Sequence, residues 1–265
     1  LMLIDYFLYF VMGGFAGLFA GMLGLGGGIL IVPGLVILFA HLHIAPEFIM
    51  HMAAGTSLSI MVMTSSMAAF SHYRLGTVRL DIVRGMLPGI LLGVVAGAVV
   101  AYFMDSSALM LLLAIFLLIV SIVMFKNSFN GKVVARNMPS NILMNSVSWV
   151  IGLFSGMLGI GSGSLTIPFL SRFGVPMNQS ASVSASCTFF VALVGSASFI
   201  LTGWGNASGL AYSTGYVYWP AFIMVSIASM VFAPLGAVLS KRMPGAILKR
   251  IFSLFLFFVV IKMLV

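Results

Sequence analysis

The residues best placed to do chemistry in this chain are glycines that recur in both halves. Residues 17–35 read GLFAGMLGLGGGILIVPGL and residues 152–170 read GLFSGMLGIGSGSLTIPFL, identical at 12 of 19 positions. Glycine and proline interrupt helices, so each copy predicts a turn between two short helices. Backbone N–H groups at a helix start can bind an anion without a charged side chain. The candidate turn residues are Gly24, Gly26, Gly27 and Gly28 in the first copy and Gly159, Gly161, Ser162 and Gly163 in the second.

Hydroxyl side chains are the second group of candidates for anion binding. Thr56 and Ser57 lie in the apolar segment that follows the first copy, and Ser186 lies in the matching segment of the second half. Hydroxyls in membrane helices often bond their own backbone or a neighbouring helix. These three are expected to lie opposite the turns, so we include them in the predicted substrate site.

A different set of glycines predicts helix packing. These glycines are four residues apart, a spacing that lets two helix backbones approach closely. They are Gly13, Gly17 and Gly21 in one segment and Gly89, Gly93 and Gly97 in another.

Histidines and one arginine are candidates for entry and gating. His41, His43 and His51 gather with Glu47 at the start of one apolar segment, which leaves a transition-metal site open as an alternative. His51 is also a candidate titrating gate, because histidine changes charge near neutral pH, and a coupled proton is therefore among the expected partners. Arg84, at the predicted cytoplasmic mouth, would raise the local anion concentration. No resident metal or cofactor is predicted.

The composition indicates that lipid is the solvent. The chain is 62% hydrophobic and 6% charged, whereas soluble domains carry roughly 25% charged residues. Apolar runs of about 20 residues span a bilayer as helices. Such runs occur at about 48–70, 82–103, 107–125, 181–202, 216–240 and 246–265, and two longer runs, at about 6–40 and 142–171, contain the repeated motif. We predict an all-α polytopic protein of the cell membrane, with lipid and a small anion as partners and no nucleic acid.

Basic residues predict how the chain crosses the membrane. If each longer run enters and returns, the basic loops at 71–84, 126–140 and 241–250 share one face, which is cytoplasmic by the positive-inside rule, and both termini lie outside. The first half then begins outside and the second inside, so the repeats are inverted. Each repeat, 1–130 and 131–265, would comprise a broken, re-entrant glycine-rich helix pair followed by three transmembrane helices.

At these residues the chain resembles a known family. GMLGLGGGILIVPGL, its counterpart GMLGIGSGSLTIPFL, and the AAGTSLS that follows the first copy are similar to motifs of the sulfite exporter TauE/SafE family. The resemblance implies a multi-pass prokaryotic transporter of sulfur-containing anions such as sulfite, thiosulfate, taurine-derived sulfonates or sulfoacetate. The second copy departs from the first in having Ser162 and Ser164 where the first has Gly27 and Ile29, so the two turns need not act alike.

The sequence therefore favours a transporter that binds a small sulfur-containing anion at paired helix breaks near the bilayer midplane and moves it by alternating access. An anion channel or facilitator is the main alternative, because the site contains no obvious coupling group. A transition-metal permease using His41, His43 and His51 is a second alternative. An enzyme is not expected, because no nucleophile, base and orienting residue occur together on a polar stretch.

Overall fold

The computed structural model describes residues 2–23, 27–42, 44–127, 139–205, 212–240 and 245–264. Within these ranges the chain forms ten helices and one short hairpin. The elements are α1 (Met2–Leu23), α2 (Gly28–His41), α3 (Pro46–Arg74), α4 (Leu80–Phe103), α5 (Ser106–Asn127), α6 (Asn141–Leu158), α7 (Gly163–Arg172), α8 (Met177–Thr202), β1 (Ser213–Thr214), β2 (Val217–Tyr218), α9 (Trp219–Ser240) and α10 (Gly245–Leu264). Seven helices in the described part, α1, α3, α4, α5, α6, α8 and α9, are long and apolar enough to cross a membrane.

Both glycine motifs break a helix where the sequence predicts a turn. α1 gives way to α2 at the first motif, and α6 gives way to α7 at the second. In the second turn, Gly159 and Gly161 have φ angles of 72° and 69°, a left-handed conformation that glycine adopts without steric cost. The two long apolar runs are therefore helix pairs, as predicted.

Glycine seams join α1 to α9 and α4 to α6. A Cβ atom added at Gly17 would lie 2.6 Å from the Cα of Ser229, and one added at Gly93 would meet the backbone carbonyl of Trp149. The packing interpretation of the α1 and α4 glycines is confirmed. In each seam the contacts keep a constant offset along the two helices, so the partners run parallel: Gly13, Gly17 and Gly21 face Val225, Ser229 and Ala233, and Gly89, Gly93 and Gly97 face Asn145, Trp149 and Leu153.

α3 is the central helix of the described structure. Residues 49–61 are buried on every face of α3, as expected for a helix surrounded by others. α8 crosses it in the antiparallel direction: Gly55 packs against Phe199, and the hydroxyls of Ser59 and Ser196 lie 2.6 Å apart. The middle of α3 is therefore where the two halves of the chain meet.

Charged residues lie at two opposite ends of the helix assembly. We call the end with the α3–α4 connection, which carries Arg74, Arg79 and Arg84, the basic end, and the end with the α4–α5 connection, which carries Asp105 together with Glu47 at the start of α3, the acidic end. The start of α8 lies at the basic end, because the hydroxyl of Ser182 donates to the carbonyl of Thr77 at 2.8 Å. No Lys, Arg, Asp or Glu whose side chain the structure describes is buried.

The run predicted at 216–240 is not a single helix. Residues 213–218 form an antiparallel hairpin, in which Ser213 pairs with Tyr218 and Thr214 with Val217, and the helix begins at Trp219. The turn uses Gly215 at a φ of 55°, packed against the backbone of Ile200. Two-residue strands are too short for alternating hydrophobicity to reveal them. This hairpin lies at the acidic end, beside the first half of α3.

Candidate functional site

The two glycine turns meet at the middle of α3. A Cβ atom added at Gly28, the first residue of α2, would lie 2.7 Å from the carbonyl carbon of Ile160 in the second turn and 2.7 Å from the sulfur of Met61. One added at Gly161 would lie 3.0 Å from the same sulfur. Met61 therefore contacts both turns, and glycine is required at Gly28 because the backbones of the two copies approach so closely.

Ser57 ties the second turn to α3. Its hydroxyl donates to the carbonyl of Gly159 at 2.8 Å, and both groups are buried. Gly159 also lies directly against the backbone of Ala54, since an added Cβ would be 2.5 Å from the Cα of that residue. Ser57 thus lies opposite a turn, as predicted, and it fixes the orientation of that turn's backbone.

Further hydroxyls hold the second turn from the other side. Ser155 donates to the carbonyl of Gly161 at 3.0 Å, and the hydroxyl of Ser162 lies 3.0 Å from that of Thr188 on α8. The carbonyls of Gly159 and Gly161 therefore both accept hydrogen bonds. The N–H groups of Leu165 and Thr166 donate to the carbonyl of Ser162. Those of Gly163 and Ser164 precede the first hydrogen bond of the helix, so the start of α7 presents two donors, which is the polarity that binds anions.

Ser164 and Thr166 lie in the first turns of α7 and were not predicted as site residues. They are 5% and 0% exposed, and neither hydroxyl has a hydrogen-bond partner among the described residues. The corresponding residues of the first copy are Ile29 and Ile31, also buried. Replacement of aliphatic residues by hydroxyls between the two copies is the signal in the sequence that could have identified them.

Thr56 and Ser186 make contacts away from the second turn. The Thr56 hydroxyl accepts a hydrogen bond from the backbone N–H of Tyr218 at 3.0 Å, which attaches the hairpin to α3. The Ser186 hydroxyl donates to the carbonyl of Ser182, one turn earlier in its own helix, at 2.9 Å.

The described part of the first turn consists of its last residue, Gly27, and the start of α2. The carbonyl of Gly27 accepts hydrogen bonds from the N–H groups of Leu30 and Ile31, both at 3.0 Å. The predicted site residues Gly24 and Gly26 lie outside the described residues. In the second copy, Gly163 begins α7 and is buried.

His51 is buried in α3 near the acidic end. Its Nε2 lies 2.9 Å from the carbonyl oxygen of Ala101 on α4, and its ring centroid is 5.1 Å from that of Tyr216 in the hairpin. Its Nδ1 is buried and has no partner among the described residues. Of the other two histidines in the predicted cluster, His41 is exposed and His43 lies outside the described residues.

Arg84 is exposed on the second turn of α4, at the basic end. Near it, Arg79 donates to the carboxylate of Asp81 at 2.6 Å, and this hydrogen bond raises the pKa of the Arg79 guanidinium. Because both side chains are exposed, the pair contributes little to stability. The described residues contain no group of three His, Cys, Asp or Glu side chains that could hold a metal ion.

Comparison with known proteins supports the resemblance seen in the motifs. The model of the sulfite exporter TauE/SafE family matches residues 9–263. The chain belongs to this family. A probable membrane transporter protein of Haemophilus influenzae is 32% identical to this TauE/SafE protein over 254 residues, 96% of each chain. One of Methanocaldococcus jannaschii is 27% identical over 239 residues, 89% of this chain and 86% of the relative.

A plant relative matches a shorter region of this TauE/SafE protein. Sulfite exporter TauE/SafE family protein 6 of Arabidopsis thaliana is 30% identical over 87 residues, 33% of this chain and 19% of the relative. No solved structure gives a significant match. With the apolar helices, the family and its relatives make this protein a multi-pass membrane transporter rather than an enzyme.

Proposed function

We propose that this TauE/SafE protein carries small sulfur-containing anions, such as sulfite, thiosulfate or organosulfonates, across the cell membrane. The proposal rests on the arrangement of hydrogen-bond donors and acceptors in the second turn. Hydroxyls from Ser57 and Ser155 donate to the carbonyls of Gly159 and Gly161, so these two acceptors are occupied, and the N–H donors at the start of α7 are the groups proposed to meet a ligand. Donors without acceptors favour an oxyanion over a cation or a neutral amine.

The proposed site joins both turns to α3 and α8. Its predicted residues are Gly24, Gly26, Gly27, Gly28, Thr56, Ser57, Gly159, Gly161, Ser162, Gly163 and Ser186. The buried hydroxyls of Ser164 and Thr166, which lack a partner among the described residues, support including these two as well. No charge is buried among the described Lys, Arg, Asp and Glu side chains. A site of neutral donors can release its ligand more readily than one built on a buried cation, because it makes no buried ion pair.

The proposed mechanism is alternating access, in which helix pairs move past one another at this site. The parallel seams, together with the antiparallel crossing of α3 and α8, have the directions that inverted repeats require. Each seam joins a helix of the first half to one of the second. We therefore propose that the moving units are the seam pairs α1/α9 and α4/α6 rather than the two halves of the sequence.

Counterflow in proteoliposomes tests the function. Vesicles loaded with unlabelled sulfite, thiosulfate, methanesulfonate or taurine should accumulate the same labelled anion transiently, because a carrier exchanges one anion for another. Sulfate and phosphate serve as comparison anions. A channel would conduct these anions without transient accumulation, and an absence of both exchange and conductance with every anion would refute the proposal.

Ser57→Ala tests the site directly. Loss of its hydroxyl leaves the buried carbonyl of Gly159 without a donor, at a cost of about 1–3 kcal/mol in stability, and should lower anion affinity because the backbone of the second turn is no longer held in place. Ser71→Ala is the matched control, because Ser71 lies on the same helix, is exposed, and bonds only its own helix at Met67. Equal affinities for the two variants, measured by isothermal titration, would remove Ser57 from the site.

A further inference from the structure

His51 is a buried histidine in the described part of α3. It is 5% exposed, and the described Asp, Glu, Lys and Arg side chains all lie nearer the surface. Ionisable side chains inside a membrane protein are costly to bury and usually belong to an ion or proton pathway. Histidine is the residue that changes charge between about pH 5 and pH 8.

The hydrogen bond to Ala101 identifies which ring nitrogen of His51 is available to bind a proton. A carbonyl oxygen can only accept, so Nε2, 2.9 Å from the oxygen of Ala101, carries a hydrogen. Nδ1 is then the one ring position of His51 that can gain or lose a proton. It is buried and has no partner among the described residues.

We propose that Nδ1 of His51 binds and releases one proton for each anion transported, so that the anion is carried together with a proton. The inference rests on the proposed anion transport. It assigns the coupling ion, which the glycine turns and hydroxyls alone do not provide.

The hairpin connects His51 to the second turn. The ring of Tyr216 contacts the His51 ring at an angle of 33°, and the Tyr216 N–H donates to the carbonyl of Phe199 at 3.2 Å. Two residues later, the N–H of Tyr218 donates to the hydroxyl of Thr56. Thr56 precedes Ser57, which holds the carbonyl of Gly159. Protonation adds a charge and a second donor to the ring beside Tyr216, and this change acts on the hairpin that is bonded to Thr56.

Electrostatic attraction determines that protonation of His51 tightens anion binding rather than weakening it. His51 and Ser57 are six residues apart on α3, about 9 Å along the helix axis. A unit charge at this distance attracts an anion by an amount equivalent to roughly 20-fold in affinity at an effective dielectric constant of about 20. The protonated ring should therefore tighten anion binding at low pH, and a bound anion should favour protonation to the same extent.

Other titratable groups on the elements around His51 are candidates for the same role. They are Glu47 and Asp105 at the acidic end, Tyr216 and Tyr218 of the hairpin, His41 at the end of α2, and Cys187 of α8. Glu47, Asp105 and His41 are exposed. The variant His51→Gln separates these groups from His51, because it removes the imidazole and leaves each of them in place.

The test compares wild type with His51→Gln, whose amide can still donate to the Ala101 carbonyl but does not titrate. The probes are methanesulfonate and thiosulfate, whose own charges stay constant over this pH range. Wild-type affinity should rise roughly 10- to 20-fold between about pH 8 and pH 5.5, and a pH gradient should drive accumulation. His51→Gln should retain counterflow within about 3-fold, bind equally at both pH values, and lose accumulation driven by the pH gradient. His72→Gln is the matched control, because His72 is half-buried at the opposite end of α3 and bonds Thr77.

The outcomes distinguish this inference from the function on which it rests. Retained pH-driven accumulation by His51→Gln would overturn the role of His51, as would a wild-type affinity that does not change with pH, a measurement that needs no variant. Wild-type protein with neither counterflow nor conductance for any anion would instead refute the proposed function. Behaviour of His72→Gln like that of His51→Gln would indicate a general effect of losing a histidine and would also overturn the inference.

Discussion

Gly159 lies at the contact between the second turn and α3, where two separate constraints act on one residue. Its φ of 72° is left-handed, and its Cα faces the backbone of Ala54. Gly159→Ala should therefore lose stability through the strained conformation, about 1–2 kcal/mol, and through a shift of the backbone away from Ala54. We expect it to abolish counterflow and to lower the melting temperature of the purified protein.

Gly76 provides the control for this prediction. Its φ is 65°, but an added Cβ would have no atom within 4 Å. Gly76→Ala should lose about 1–2 kcal/mol of stability through strain alone and keep its transport activity. If both variants lose stability and activity equally, the close contact with Ala54 is not the reason that position 159 requires glycine.

Contacts between single residues were the least predictable part of the site. The sequence indicated Ser57 as lying opposite a turn, but it could not show that its partner would be a carbonyl in the other half of the chain. Thr56 shows the same limit, because its partner is the N–H of Tyr218 in an unpredicted hairpin. Such pairs depend on how distant helices pack, and neither composition nor spacing within a segment encodes that packing.

At the scale of helices, most helix ends and packing faces were predictable from the local sequence. Dense glycine in the two motifs marks where α1 and α6 end, and four-residue spacing marks which face packs, so local sequence is sufficient for both. Proline alone does not mark an end, because Pro33, Pro88 and Pro168 lie inside helices. The hairpin at 213–218 was missed because its stability comes from contacts with α3 and α8 rather than from its own residues.

The seams also predict which glycines tolerate substitution. Gly93→Leu should separate α4 from α6 and reduce the yield of folded, monodisperse protein severalfold in size-exclusion chromatography, because its neighbour is the backbone of Trp149. Gly34→Ala in α2 should be tolerated, since an added Cβ would meet the flexible sulfur of Met12. Normal yield from Gly93→Leu would show that the α4/α6 seam is not required for folding.

The whole molecule separates its basic and acidic ends, and the positive-inside rule then predicts its orientation. In a Cys187→Ala background, Leu75→Cys at the basic end should react with a membrane-impermeant maleimide only after the cells are opened. Asp105→Cys at the acidic end should react in intact cells. Both residues are exposed, so reactivity reports the side of the membrane, and the reverse pattern would contradict the predicted topology.

The parallel seam between α1 and α9 has a consequence for biosynthesis. α1 is made before α9, and its glycine face packs against residues synthesised about 200 positions later, roughly 10–40 s at typical elongation rates of 5–20 residues per second. Until α9 is inserted, that face of α1 has only lipid or a chaperone to cover it. Chains that terminate before α9 lack the partner that covers this face. The uncovered glycine face of α1 is therefore a feature by which membrane quality control can distinguish them from chains that contain α9.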